Sequence, residues 1–225
     1  WSSDVCSSDL GWANTDPYNN YHYHFLHATM TLGLATDGDN TQASSWRTMF
    51  RTTKLTNALI PAFNNNVDSG GSLEGTNYGV ALKELFQLYD WWERSTGERI
   101  ADLTPHTLGS LAWQMHQISP VTDLMVSLGD QSRDHTVPFF DYNREFMLKL
   151  IALYPNERLA AAANLQLRNS VLTTMGFGFE AVWDFIYKPP TLTAVNLTDV
   201  SNTWYGVGDR KSTRLNSSHV ALSRM

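Results

Sequence analysis

A glycine-rich stretch in the first half of the chain holds residues that could transfer protons. Residues 69–79 read SGGSLEGTNYG. The paired glycines Gly70 and Gly71 allow the backbone to turn sharply or to approach a ligand closely. Glu74 and Tyr78 follow them at the predicted start of a helix, where free backbone N–H groups favour anions. The same pattern also fits a plain turn, a first-turn glutamate and a core tyrosine, so spacing alone leaves both interpretations open.

Histidines and asparagines are concentrated upstream of this stretch, in the sequence NNYHYHFLH at residues 19–27. His24 and His27 share one face of a predicted helix and His22 precedes them, so a zinc site is one hypothesis. The spacing lacks the HExxH pattern of metalloproteases, and no acidic residue lies among the histidines. Together with Thr31, the two helical histidines form a polar stripe on an otherwise apolar helix. We therefore predict that this stripe lines a wet cleft and that no metal is bound.

Both stretches lie in a region of predicted helices, because apolar residues recur with helical spacing from about residue 20 to 187. The predicted helices cover about 21–35, 42–59, 78–95, 104–119, 142–153, 157–171 and 179–187. Pro61 is expected to end the second helix, because the residue before a proline avoids helical geometry. Gly97 should end the third, and Thr104 followed by Pro105 should begin the fourth. Helices of this length favour a ring or solenoid of helical hairpins.

Strand-like composition is expected only after Pro190. From 191 to 208 the content of β-branched and aromatic residues rises, which predicts the start of a β-domain. The fold class predicted from the whole pattern is therefore all-α up to about residue 190, followed by the first strands of a second domain.

The overall composition excludes several classes of partner. The chain is 42% hydrophobic and 12% aromatic, which is enough for a packed core. Its net charge of −6 is a poor match for nucleic acid, which binds basic surfaces. It has no run of about 18 apolar residues, so no membrane-spanning helix is predicted. An acidic polysaccharide would need a cleft in which donor groups are locally concentrated.

The two ends differ from the rest of the chain. Residues 1–10 and 209–225 are rich in serine and have no sustained apolar period. They are similar to the translated adapter sequence found at the ends of metagenomic reading frames, although ordinary flexible termini are the alternative. We exclude both from the fold prediction, and with them the single cysteine, Cys6. Because Trp1 is not an initiator methionine, we expect the true N-terminus to be missing.

The order of motifs resembles that of the heparinase II/III-like and alginate-lyase-like polysaccharide lyases. The Asn/His-rich helix is followed some fifty residues later by GG-x-x-EG-x-x-Y-G, then by TGE at 96–98 and by GD at 129–130. The sequence FIYKP at 185–189 is similar to the exit from that family's helical toroid, and NTWYGVG at 202–208 to the entry into its β-sandwich. EGTNYG is the most specific element of the resemblance.

The resemblance implies an incomplete (α/α) toroid over residues 11–190 and the start of a C-terminal β-sandwich at 191–208. It also implies that the chain is a fragment, inactive by itself, of a periplasmic or secreted lyase without a cofactor. The position of the family's catalytic acid, which in some members is also the base, matches Tyr78. The family's partner histidine or asparagine matches His24, with Asn20 and His22 as the other candidates.

The chemistry that the resemblance implies is β-elimination on an acidic polysaccharide or oligosaccharide. A donor such as His24 neutralises the uronate carboxylate while the C5 proton is removed, and Tyr78 protonates the leaving oxygen. The predicted substrate-binding residues are Asn20, His22, His27, Glu74 and Asn77. A further family histidine would come from the β-domain beyond Gly208.

Two other functions are compatible with the sequence. A glycoside hydrolase on a helical toroid would need two carboxylates across the bond, for which Glu74 and Asp130 are candidates. A non-catalytic carbohydrate-binding domain would bind oligosaccharide without turnover. The identity of the uronate polymer and the oligomeric state are left open.

Overall fold

The computed structural model describes residues 11, 15–119, 123–128, 136–176, 180–189 and 195 of the 225-residue chain. The predicted terminal segments 1–10 and 209–225 lie outside the described residues, as does the predicted β-domain apart from Val195. The described part is mostly helical, and its only strands are one short pair, so the all-α prediction is confirmed.

The first helix, α1 (Asn20–Ala35), is capped by Asn19, whose side-chain oxygen accepts a hydrogen bond from the backbone N–H of Tyr21 at 2.9 Å. This bond satisfies one of the free donors at the helix start. The buried face of α1 contains Leu26 and Met30, as the apolar pattern predicts, but it also contains His22 and Tyr23. The helix packs against α2 (Ala43–Thr48) and against the later helix at Leu82–Thr96.

The second predicted helix does not end at Pro61. Helix α2 continues into a π-helical segment (Met49–Leu59) and then into α3 (Ile60–Asn66), with Pro61 in the first turn of α3. The backbone N–H of Ile60 donates to the Leu55 carbonyl, five residues back. The prediction was wrong because the wider π turns change the bonding pattern just where a proline would otherwise clash, and a first-turn proline needs no N–H.

Two short elements lead into the long helix α5. They are α4 (Gly75–Tyr78) and a 3₁₀ turn (Gly79–Ala81), and α5 itself spans Leu82–Thr96. Gly97, with φ of 76°, ends α5 as predicted. A second 3₁₀ turn (Ala101–Leu103) precedes α6 (His106–Gln117), and the Thr104 hydroxyl accepts from the His106 N–H at 3.3 Å.

The connection after α6 contains strands, which the sequence analysis expects only after Pro190. Strands β1 (Leu124–Val126) and β2 (Thr136–Pro138) pair antiparallel, with Met125 opposite Val137. Three-residue strands are too short to show an alternating pattern, so periodicity could not reveal them. The pair lies at the edge of the helical domain, where the backbone of 126–128 contacts the glycine-rich loop.

Helix α7 (Asp141–Leu153) lies at the centre of the described domain. Helices α5, α6, α8 (Arg158–Asn169) and α9 (Ala181–Ile186) all pack against it. Most of its residues are buried, including the charged residues Arg144, Glu145 and Lys149. Buried charges require partners, so α7 brings a set of ion pairs into the core. No helix of the described residues is both long enough and apolar enough to cross a bilayer.

Candidate functional site

The glycine-rich loop is packed tightly onto helix α6. Gly70 has φ of 97°, and a Cβ built on it would lie 2.1 Å from the carbonyl carbon of Gly109. Gly71 has φ of 93°, and its Cβ would lie 2.7 Å from the indole nitrogen of Trp113. Both positions therefore exclude a side chain, sterically as well as by backbone conformation. These glycines serve a close approach between two backbones, as well as a turn.

His106 and Ser110, one turn apart on α6, bind the backbone of Gly71. Nε2 of His106 lies 2.8 Å from the Gly71 carbonyl oxygen, so the ring donates from Nε2–H. The Ser110 hydroxyl accepts from the Gly71 N–H at 3.3 Å. Burial lowers the pKa of His106 to about 4, and the bond to Gly71 opposes this only in part. The imidazole is therefore neutral near pH 7.

Thr76 ties the other half of the loop to the strand pair. Its backbone N–H donates to the Leu128 carbonyl at 3.0 Å, and its hydroxyl donates to the Val126 carbonyl at 2.9 Å. The Leu128 N–H in turn donates to the Thr76 hydroxyl at 2.8 Å. Three bonds from one residue fix the backbone two positions before Tyr78.

Tyr78 is the last residue of α4 and is 47% exposed. On its other side, Gly79 packs against Ser72, where an added Cβ would come within 2.6 Å of the Ser72 Cβ. The indole of Trp113 lies beneath both glycines that flank this part of the loop, Gly71 and Gly79. An exposed tyrosine is thus carried on backbone that is anchored both before and after it. Asn77, the neighbouring predicted site residue, is half-buried.

Glu74 connects the loop with helix α1. It is half-buried immediately before α4, and its backbone N–H donates to the Ser72 hydroxyl at 3.1 Å. Burial raises the pKa of Tyr23, and the nearby charge of Glu74 raises it further. The carboxylate of Glu74 therefore lies near the buried ring of Tyr23 on α1. Helix α1 also packs against the 3₁₀ turn that follows Tyr78.

The histidines of α1 fall into three different environments. His24 is exposed, whereas His22 is buried, with its ring edge-on to that of Tyr23. His27 is half-buried; its Nδ1 lies 3.2 Å from Glu84 and its ring is edge-on to Trp91. Asn20, at the first position of the helix, is half-buried.

Glu84 begins an ion-pair network that runs from the surface into the core. Burial alone would raise the pKa of Glu84, but the His27 hydrogen bond and the charges of Lys149 and Lys83 outweigh it and lower the pKa to about 2. Lys83 lies 3.6 Å from Glu84 and 2.5 Å from Glu145. Lys149 also pairs with Glu145. Burial lowers the pKa of Lys149, although Glu145 favours its charged form. These carboxylates are bound to cations of the protein itself.

A separate groove of about 550 Å³ lies between two parts of the chain, the segment 99–108 that leads into α6 and the α7–α8 connection at 153–157. Arg99 lines this groove, and its guanidinium is already bound to Asp102 at 2.5 Å and to Glu93 at 2.9 Å. The lining contains none of the residues predicted for the site. We therefore keep the glycine-rich loop and α1 as the candidate site.

The predicted site residues are brought together in part. Glu74, Asn77 and Tyr78 lie on one anchored loop, and α1 is packed beside it. His24 and Tyr78 are both exposed, and among the described residues neither side chain has a hydrogen-bond partner. Asp130 lies outside the described residues.

The support that α6 gives to the glycine-rich loop was not predicted from the sequence. His106 and Trp113 hold the loop, yet their spacing looks like that of ordinary core residues. The available signal was Gly109, because a glycine in the interior of a helix often marks a close approach of another chain segment.

Two further findings bear on the site. The described residues contain no group of three or more histidine, cysteine, aspartate or glutamate side chains that could hold a metal ion. Comparisons with protein-family models, with curated proteins and with solved structures each returned no match.

Proposed function

We propose that this protein is a polysaccharide lyase that cleaves a uronic-acid-containing polysaccharide by β-elimination, with Tyr78 as the proton-transferring residue. The observation that carries the proposal is the setting of Tyr78, which is 47% exposed on a loop anchored on both sides. Catalytic groups need to be both accessible and held in place. A core tyrosine, the plainer interpretation of the motif, would be buried like Tyr23 or Tyr89.

In the proposed reaction the C5 proton of the uronate is removed and its electron pair forms a double bond between C4 and C5. The bond from C4 to the glycosidic oxygen breaks, and that oxygen takes a proton. In the proposed syn elimination the Tyr78 phenolate accepts the C5 proton, and the phenol so formed gives a proton to the glycosidic oxygen. Negative charge develops on the carboxylate during proton removal, so a donor to that group stabilises the transition state.

We assign the donor role to His24, which is exposed on helix α1, and α1 packs beside the glycine-rich loop that carries Tyr78. Asn20 and Asn77 are half-buried amides on the same two elements and would bind sugar hydroxyls or the carboxylate. His22 and His27 lie deeper, and His27 is held by Glu84, so we propose that they shape the floor of the binding cleft. The half-buried Glu74 would contact substrate and support the loop.

The same proposal includes the larger architecture. The described helical hairpins would form part of an (α/α) toroid, and the segment 191–208 would begin a β-sandwich. On the family resemblance alone, the protein would act in the periplasm or after secretion. No cofactor is needed for this chemistry, because the carboxylate neutraliser and the proton donor are side chains.

The test uses the purified full-length protein, with the β-domain that the resemblance implies, on alginate, glucuronan and glycosaminoglycans. It follows the ultraviolet absorbance of the unsaturated uronate. Tyr78→Phe keeps the ring and removes the transferable proton, so kcat should fall by about 10²–10⁴-fold while substrate binding is largely kept. Tyr21→Phe is the matched control, since Tyr21 is similarly exposed at 56%. His24→Ala should lower both kcat and affinity, and His24→Asn, which keeps an N–H donor, should recover part of each.

The outcome separates this proposal from its rivals. Reducing ends released without ultraviolet absorbance would indicate a hydrolase, and binding without any cleavage would indicate a carbohydrate-binding domain. Elimination at a near-normal rate by Tyr78→Phe would overturn the assignment of Tyr78.

A further inference from the structure

On its α6 side, the glycine-rich loop that carries Tyr78 is bound by Ser110, which accepts from the Gly71 N–H, and by the buried imidazole of His106. His106 is completely buried, and its Nε2–H donates to the Gly71 carbonyl oxygen at 2.8 Å. The ring of Phe63 packs against it with centroids 4.0 Å apart. Within the described part of the chain, Nδ1 of His106 is buried without a hydrogen-bond partner. The ring therefore makes its contact with the loop through one nitrogen in one orientation.

That contact reaches Tyr78 through closely packed groups. Gly71 sits on the indole of Trp113, and Gly79, directly after Tyr78, approaches the far edge of the same indole, with 3.7 Å between its built Cβ and Cη2. Ser72, the residue after Gly71, accepts from the Glu74 N–H and lies against Gly79. A shift of Gly71 would displace groups on both sides of Tyr78, because close-packed atoms transmit displacement.

We propose that His106 is a positioning residue for Tyr78, acting through its hydrogen bond to the Gly71 carbonyl. A neutral core histidine could serve packing alone, but the donor of His106 is aimed at the turn from which the catalytic loop projects. Losing this donor leaves the buried Gly71 carbonyl without the hydrogen bond from His106, which favours opening of the turn. The inference rests on the proposed function only where it concerns catalysis; the holding of the loop can be measured without any substrate.

The experiment compares three variants of the full chain. His106→Leu removes the donor and keeps the bulk, and His106→Gln keeps an N–H donor at similar reach. Phe63→Leu is the control, because it weakens the same packing and leaves the hydrogen bond in place. Hydrogen exchange of residues 69–79 is measured by mass spectrometry, together with kcat and KM on a polyuronate.

We expect His106→Leu to raise exchange in 69–79 by roughly tenfold to a hundredfold and to lower kcat at least about tenfold, with KM changed less than about twofold. His106→Gln should recover most of the protection from exchange and most of kcat. Phe63→Leu should lower global stability without the local increase in exchange. Equal exchange of the loop in His106→Leu and Phe63→Leu would overturn the inference. A wild-type protein without elimination activity would defeat the proposed function, and the exchange comparison would still decide the role of His106.

A measurement on the wild type covers the case in which His106→Leu does not fold. A long-range ¹H–¹⁵N spectrum of the histidine side chains should show His106 as the neutral Nε2–H tautomer near neutral pH. The Nδ1–H tautomer, or a protonated ring, would be incompatible with the bond to Gly71 and would overturn the inference.

Discussion

Acidification should destabilise the protein through His106 in a defined pH window. The ring is buried, which lowers the pKa of His106 from 6.5 to about 4 in the folded protein. Below about pH 6.5 the unfolded chain therefore binds a proton at this ring that the folded chain does not. The free energy of unfolding falls as the pH drops through this range. Below about pH 4 both states are protonated, and the contribution of His106 stops changing.

The size of the effect follows from the two pKa values. A difference between 6.5 and about 4, at about 1.4 kcal/mol for each pKa unit, corresponds to about 3 kcal/mol. Small domains are stable by about 5–15 kcal/mol, so this one ring accounts for a large fraction. Glu84 acts in a different range: its pKa is lowered from 4.5 to about 2, so its contribution is present above pH 4.5 and is lost only as the pH falls towards 2.

Urea unfolding followed by tryptophan fluorescence at a series of pH values measures this slope. The comparison is between wild type and His106→Gln, whose amide does not titrate, so that groups common to both proteins cancel. The wild type should lose about 3 kcal/mol more than the variant between about pH 6.5 and about pH 4. Parallel pH profiles for the two proteins would refute the reasoning, because they would mean that the buried ring is protonated at no cost.

Two substitutions test the packing of the site and of the core. Glu145→Gln should lower the free energy of unfolding by about 3–5 kcal/mol in urea melts, because the buried ammonium of Lys149 and the half-buried one of Lys83 lose their shared carboxylate. The exposed Glu157→Gln should change it by less than about 0.5 kcal/mol. Gly71→Ala should cost about 1–3 kcal/mol more than Gly38→Ala. Both glycines have positive φ, but a Cβ at Gly38 meets open space and one at Gly71 meets an indole. Similar thermal midpoints for the two alanine variants would contradict the close packing of the loop.

The elements of the fold were predictable wherever local chemistry decides them. The helix stop at Gly97 and the start near Thr104 follow from the left-handed cap and from the hydroxyl that accepts the first N–H. The continuation through Pro61 was not predictable, because the rule against proline assumes α-helical bonding and the preceding turns are π-helical. A change in hydrogen-bond register leaves no signal in apolar periodicity.

The candidate site, too, was predictable from the sequence only in part. The motif at 69–79 predicted a turn but left open whether Tyr78 is presented or lies in the core; in the structure Tyr78 is exposed. The support from α6 depends on contacts between segments about 35 residues apart in the chain, such as that between His106 and Gly71. Local pattern cannot reveal which core face lies beneath a loop. The burial of His22 and the pairing of His27 with Glu84 likewise depend on how α1 packs in the fold, which the local sequence does not show.

The backbone contact between Gly70 and Gly109 makes the two positions dependent on each other. A Cβ on Gly70 would lie 2.1 Å from the carbonyl carbon of Gly109, and one on Gly109 would lie 2.4 Å from the Ser69 carbonyl oxygen. Any side chain at either position separates the two segments, after which a second substitution has little contact left to remove. The costs of the two single alanine substitutions should therefore be strongly non-additive. In evolution, Gly70 and Gly109 can change only together with the spacing between loop and helix. We therefore expect the two glycines to identify this packing of loop on helix in relatives whose substrate-contacting residues have diverged.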